Sequence, residues 1–102
     1  MSTATYDVLL YPSAESDLYD IKQYFEQVLK VSPTHLFQKF YDSIEYLEKN
    51  PFIYPLVKDP FLSQLGYHMI TIDNFLVFYI VTGNEVQIHR FLYGKRNYLQ
   101  IL

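Results

Sequence analysis

The 102-residue sequence has no cysteine, and its three glycines, Gly66, Gly83 and Gly94, are scattered. Without cysteine there is neither a disulfide framework nor a thiolate metal site. Isolated glycines do not make a phosphate-cradling loop. His35, His68 and His89 lack metal-ligand spacing, and a zinc site built of histidine alone needs all three to converge. No metal or other cofactor is expected. No Ser-centred nucleophile elbow is present. No apolar run approaches the ~20 residues of a membrane span, and residues 1–7, MSTATYD, lack the basic start and apolar stretch of a secretory leader. Repeats and low-complexity segments are missing too. The expectation is a single cytoplasmic domain over residues 1–102.

What is present is apolar, aromatic and unevenly charged. Half the residues are apolar and 19% are aromatic, enough for a real core and too much for a disordered chain. The net charge is −3, yet the last fourteen residues, HRFLYGKRNYLQIL, hold Arg90, Lys95 and Arg96 and no carboxylate. Residues 1–88 therefore carry −6. A pI near 5.4 is low for a nucleic-acid binder. Any phosphate would be held locally by the terminal cluster, with little long-range attraction to help.

The periodicity changes once along the chain. YDVLLY (Tyr6–Tyr11) is a β-branched and aromatic run that predicts a strand ended by Pro12. Ser13 is the candidate cap of a first helix, with Glu15 and Asp17 near its positive end. Its apolar stripe is Ala14, Leu18, Ile21, Phe25, Val28 and Leu29, and Glu26 with Lys30 makes a surface i,i+4 pair. Ser32 and Pro33 start a second helix, striped by Phe37, Phe40, Ile44 and Leu47 and stopped at Asn50-Pro51. Residues 51–66 carry three prolines and no clean period, and predict an irregular crossing. YHMITI (67–72), FLVFYIV (75–81) and EVQIHRFL (85–92) follow as three strands joined by links short enough for hairpins. The order predicts an α+β fold: an N-terminal strand, then a helical hairpin packed on one face of a small antiparallel sheet. A short C-terminal helix containing Tyr98 would close the chain. In the last strand Val86, Ile88, Arg90 and Leu92 share one parity; Gln87, His89, Phe91 and Tyr93 share the other. The sheet's second face would expose aromatic rings, which points to a partner surface unless residues 51–66 or a second copy cover it.

The chemistry that remains is in the terminal cluster. An arginine fork matches a phosphate, histidine exchanges a proton near neutral pH, and tyrosine stacks on bases or donates from its hydroxyl. Arg90, Arg96, Lys95, His89, Tyr93 and Tyr98 together contain the parts for metal-independent RNA cleavage through the 2′-OH. Plainer roles suit the same positions. Arg90 shares parity with core positions and fits a buried salt bridge unless a bulge turns it. Tyr98 fits simple helix packing, and Lys95 fits solvation.

AESDLYDIKQYF (14–25), LEKNPFIYP (47–55), GYHMITIDNFLVFYIV (66–81) and IHRFLYGKRNYLQIL (88–102), in this order and spacing, resemble the RelE/ParE superfamily of toxins from bacterial type II toxin–antitoxin modules. The resemblance implies a compact toxin wrapped and silenced by a cognate antitoxin, alone as a homodimer or joined in a hetero-oligomer. RelE-like members cut mRNA in the ribosomal A site; ParE-like members inhibit DNA gyrase and cut nothing. By that likeness Arg96 and Tyr98 are the catalytic candidates, with Arg90 beside them. Lys95, His89, His68 and Tyr93 are the substrate-binding candidates. His68 stands where relatives carry arginine, and the lysine-rich helix of ribosome-dependent members has no counterpart here. The leading expectation is an mRNA endoribonuclease on the ribosome. The alternatives are a gyrase inhibitor or an attenuated toxin whose main property is binding its antitoxin.

Overall fold

The computed structural model describes residues 5–94. Lys95, Arg96, Tyr98 and the expected C-terminal helix lie outside the described residues. The elements run β1 (Asp7–Leu10), α1 (Pro12–Gln23) continuing into a π-helical turn (Tyr24–Leu29), α2 (Thr34–Lys49), α3 (Pro60–Gln64), β2 (His68–Ile72), β3 (Phe75–Thr82) and β4 (Glu85–Tyr93). The α+β reading holds. The sheet order is β1-β4-β3-β2. Strands β2, β3 and β4 form the antiparallel meander, while β1 adds in parallel beside β4, so the sheet is mixed. The sequence left open which strand β1 would join.

Local chemistry explains the elements and several departures. Pro12 occupies the first helical position, where its fixed φ suits a helix start, so Tyr11 rather than Ser13 is the cap residue. Ser13 Oγ instead donates to the His89 carbonyl at 2.6 Å. The first helix ends in a π-helical turn closed by Lys30 in the left-handed region (φ 59°). That wider turn takes the end of the expected stripe off the core, and Val28 and Leu29 are exposed. Lys22, not Lys30, pairs with Glu26, at 3.0 Å. Pro33 caps α2, and Ser32 Oγ accepts from the Thr34 amide. In the two-residue loops Asp73-Asn74 and Gly83-Asn84 only the first residue takes positive φ (53° and 61°), as in a II′ turn matched to strand twist.

The helical hairpin covers one face. Ala14, Leu36, Phe40 and Leu47 pack with Ile70, Ile72, Val77, Tyr79, Val86, Ile88 and Phe91. The 51–66 connection crosses the second face. Val57 and Leu62, the latter from α3, pack on Phe78 and Leu92. Asp59 makes that short helix possible by accepting from the Leu62 amide at 3.0 Å. Tyr79 ties this connection to the helix-covered face. Its buried hydroxyl donates to the Pro51 carbonyl at 2.7 Å, and burial pushes its phenol well above the usual range. Tyr79→Phe keeps the ring and strands the carbonyl. The expected loss is about 1–2 kcal/mol in a urea melt.

Candidate functional site

The site candidates on β4 are set by a β-bulge. Tyr79 opposes Ile88 and Phe78 opposes Arg90, so His89 is the extra residue. The alternation breaks there. Phe91, not Leu92, joins Val86 and Ile88 on the helix-covered face, and Leu92 joins the second. β1 ends at Leu10, opposite Ile88, so beyond that point the edge of β4 loses its neighbouring strand. The start of α1 takes over, with Ser13 at the His89 carbonyl and Asp17 at the Phe91 amide, 3.0 Å.

The same Asp17 carboxylate holds Arg90. Arg90 Nε donates to Oδ2 at 2.7 Å and Nη2 donates to Oδ1 at 2.9 Å, a two-pronged pair. Side-chain exposures are 20% for Arg90 and 11% for Asp17. The hydrogen bond to Asp17 holds the guanidinium proton more firmly than usual, against the opposing effect of burial. The buried salt bridge weighed from sequence is therefore present, and one planar edge of the fork is occupied.

His89 faces other partners. Its ring stacks on Tyr11, with centroids 4.5 Å apart and planes at 24°. Tyr67 Oη lies 2.8 Å from Nδ1, and Gln87 Oε1 lies 3.2 Å from Nε2. Gln87 Nε2 donates to Glu85 Oε1, so its own oxygen faces His89. With the amide so turned, a neutral ring carries its hydrogen on Nε2 and accepts from the tyrosine at Nδ1. Burial lowers the affinity of this imidazole for a proton. It also raises the Tyr67 phenol, an effect the charge of Arg90 partly offsets.

His68 is not part of this group. It is buried on the helix-covered face, stacked on Tyr79 at 5.0 Å, edge-on to Phe52, with Nδ1 2.8 Å from the Tyr54 carbonyl. Tyr93 stands at the far end of β4, edge-on to Phe75. There it lines a groove of ≈ 610 Å³ with Asp17, Asp20, Tyr24, Phe25 and Phe91. Beside it the Gly94 amide donates to the Asn74 carbonyl at 2.7 Å. The structure thus brings His89 and Arg90 together at the bulge and sets His68 and Tyr93 apart.

Sequence reasoning missed Tyr11, Tyr67 and above all Asp17. The signal for Asp17 was available. It falls at i+3 from Ala14 and four residues before Ile21, at the edge of the apolar stripe, and a carboxylate in a core-facing register calls for a buried partner. Among the described residues no cluster of His, Asp or Glu is arranged to hold a metal ion, and no helix is long and apolar enough to cross a membrane.

A family model described as the ParE toxin of the type II toxin–antitoxin system parDE matches residues 8–98. A search of curated proteins finds no significant match. Among solved structures, a chain of a chromosomal ParDE toxin–antitoxin system from P. aeruginosa superposes with a TM-score of 0.60 at 18% identity. That match covers 90% of this chain and 98% of the other, and at that identity it speaks to the fold.

Proposed function

The chain belongs to the ParE toxin family of type II toxin–antitoxin systems, and from that premise we propose that it arrests bacterial growth by binding DNA gyrase, without cutting RNA. An antitoxin produced with it holds it inactive in the cytoplasm. The observation that carries this reading is the pairing of Arg90 with Asp17. A nuclease of the kind drawn from the sequence needs its guanidinium forks turned toward a pentacoordinate phosphate. Here one fork is spent on a carboxylate that also accepts from the Phe91 amide. The acidic body argues in the same direction, since phosphate contacts dominate binding to ribosomal RNA. Lys95, Arg96, Tyr93 and Tyr98 are then contact residues on a protein target, where arginine and tyrosine supply much of the energy of an interface.

A second reading, mRNA cleavage on the ribosome, draws on the hydrogen-bonded Tyr67–His89 pair beside Arg90, which contains groups able to pass a proton. The two readings separate in one experiment. Purified protein is expected to abolish gyrase supercoiling. Induction of the gene is expected to raise an SOS response while transcripts stay whole. Transcripts cut at ribosomal positions, with gyrase unaffected, would sink the gyrase reading. Arg96→Ala is expected to weaken gyrase inhibition at least tenfold, a loss on the order of 1.4 kcal/mol, measured as the concentration giving half-maximal inhibition.

A further inference from the structure

The π-helical turn at Tyr24–Leu29 has no local cause in the sequence. No proline or glycine lies between residues 13 and 32, and those are the usual breakers of a helix. The residues of the turn follow an α period instead. Val28 and Leu29 stand three and four places past Phe25, the spacing of one helical face. A π turn bonds five residues ahead, so that face passes to the residues four and five on. Leu29 then keeps a place in the groove wall, while Val28 is 62% exposed. The end of the turn carries a further cost. Lys30 takes φ 59°, a left-handed value that glycine accepts freely and a lysine does not. Its amide and the Val31 amide both donate to the Phe25 carbonyl. What offsets these losses is the link to α2. Residues 31–33 alone separate Lys30 from Thr34, and a left-handed residue at a helix end turns the chain sharply enough for so short a span.

The groove lies against this turn. Tyr24, Phe25 and Leu29 form one wall, and Phe75, Phe91 and Tyr93 line it from β3 and β4. Phe25 is held in place by packing on the core, with its ring centroid 6.2 Å from that of Phe75. We infer that Tyr24–Leu29 is a two-register lid on this groove, open as the π turn and closed when the same residues wind as an α-helix. In the closed form Val28 swings back to the Phe25 face and meets Phe75 across the groove. Lys30 leaves the left-handed region. It also comes to i+4 from Glu26, with the acid first, the better order for such a pair; in the open form Glu26 bonds Lys22. The opposing cost is strain in the link at residues 31–33. The closed form is thus a minor state set by small opposing terms, and shifts of helix register run in microseconds to milliseconds. A side chain that enters the groove binds the open form alone and raises its share.

Nuclear magnetic relaxation dispersion on the full chain tests this. The backbone nitrogens of residues 24–30 are expected to exchange with a form populated at roughly 0.1–10%. Lys30→Gly favours the open form twice over, because glycine suits the left-handed position and weakens a helix interior. The minor share is expected to fall at least about fivefold. One glycine inserted between Val31 and Ser32, in the exposed part of the link, removes the strain on the closed form. It is expected to raise the same share at least about fivefold and to strengthen the nuclear Overhauser contact between the Val28 methyls and the Phe75 ring. A wild type without exchange at residues 24–30 would overturn the lid. So would a minor share that Lys30→Gly leaves unchanged, or an insertion variant that folds and keeps Val28 away from Phe75. If the insertion prevents folding, Lys30→Gly decides by itself.

Discussion

Asp17→Ala is expected to cost about 3–4 kcal/mol of folding stability. The carboxylate accepts three hydrogen bonds at once, two from Arg90 and one from the Phe91 amide. Alanine removes the carboxylate from the guanidinium and from a strand N–H, and breaking a buried ion pair from one side costs about 3–5 kcal/mol. Arg90 keeps a fifth of its side chain exposed, so water recovers part of that loss and places the expectation in the lower half of the range. A domain this size has only about 5–15 kcal/mol to lose. The melting temperature should drop by at least about 12 °C. Asp17→Asn is expected to fall between wild type and alanine, because its amide oxygen accepts one bond but its NH₂ group opposes the guanidinium. Replacing both partners with apolar residues, Asp17→Leu with Arg90→Met, removes the guanidinium together with its carboxylate. It still strands the Phe91 amide, so the double variant should recover most but not all of the loss. Full recovery in thermal melts would mean that the backbone bond to Asp17 contributes nothing.

This cluster also marks the boundary between what the sequence makes legible and what it does not. The elements were readable because each depends on near neighbours. The stripes of α1 and α2, the alternation in β2 to β4, Pro12 at a helix start and Gly83 at a turn all act within a few residues. The order of those elements, with its stretches of family likeness, was enough for the α+β class. The misses share a different cause, which is contact at long range in sequence. Asp17 and Arg90 are 73 positions apart, and Tyr67 and His89 are 22 apart. A bulge is one extra residue in a ladder, and a simple alternation over residues 85–92 has no place for it. It moved Phe91 to the helix-covered face and turned His89 toward Tyr67 and Tyr11. The cover over the second face, one of the alternatives weighed from sequence, carried no periodic signal because residues 51–66 bury only Pro51, Val57 and Leu62 within a run whose Phe52, Ile53, Leu56, Phe61 and Leu65 stay exposed. Three anchors so spaced produce no period.

Phe40→Ala is the second large effect, and its size depends on the same β4 geometry. Phe40 is fully buried on α2 and meets Phe91 edge to face, with centroids 5.0 Å apart. Truncating a buried phenylalanine costs about 3–5 kcal/mol, with the spread set by how far the surroundings collapse into the cavity. Phe91 is the neighbour best placed to fill the space, but its amide is fastened to Asp17 and its strand is paired with β3. The backbone beneath it cannot shift, so the upper half of that range is expected, read as a lower urea midpoint with an unchanged m-value. Phe40→Leu, which refills most of the volume, is expected to lose no more than about 1.5 kcal/mol. The fastening itself is testable through non-additivity. With Asp17→Ala already present, β4 is freer to relax toward the cavity. The double variant Asp17→Ala with Phe40→Ala should therefore cost at least about 0.5 kcal/mol less than the two single losses added together. Simple additivity would mean that Asp17 holds a charge and an amide but does not hold the aromatic packing in place.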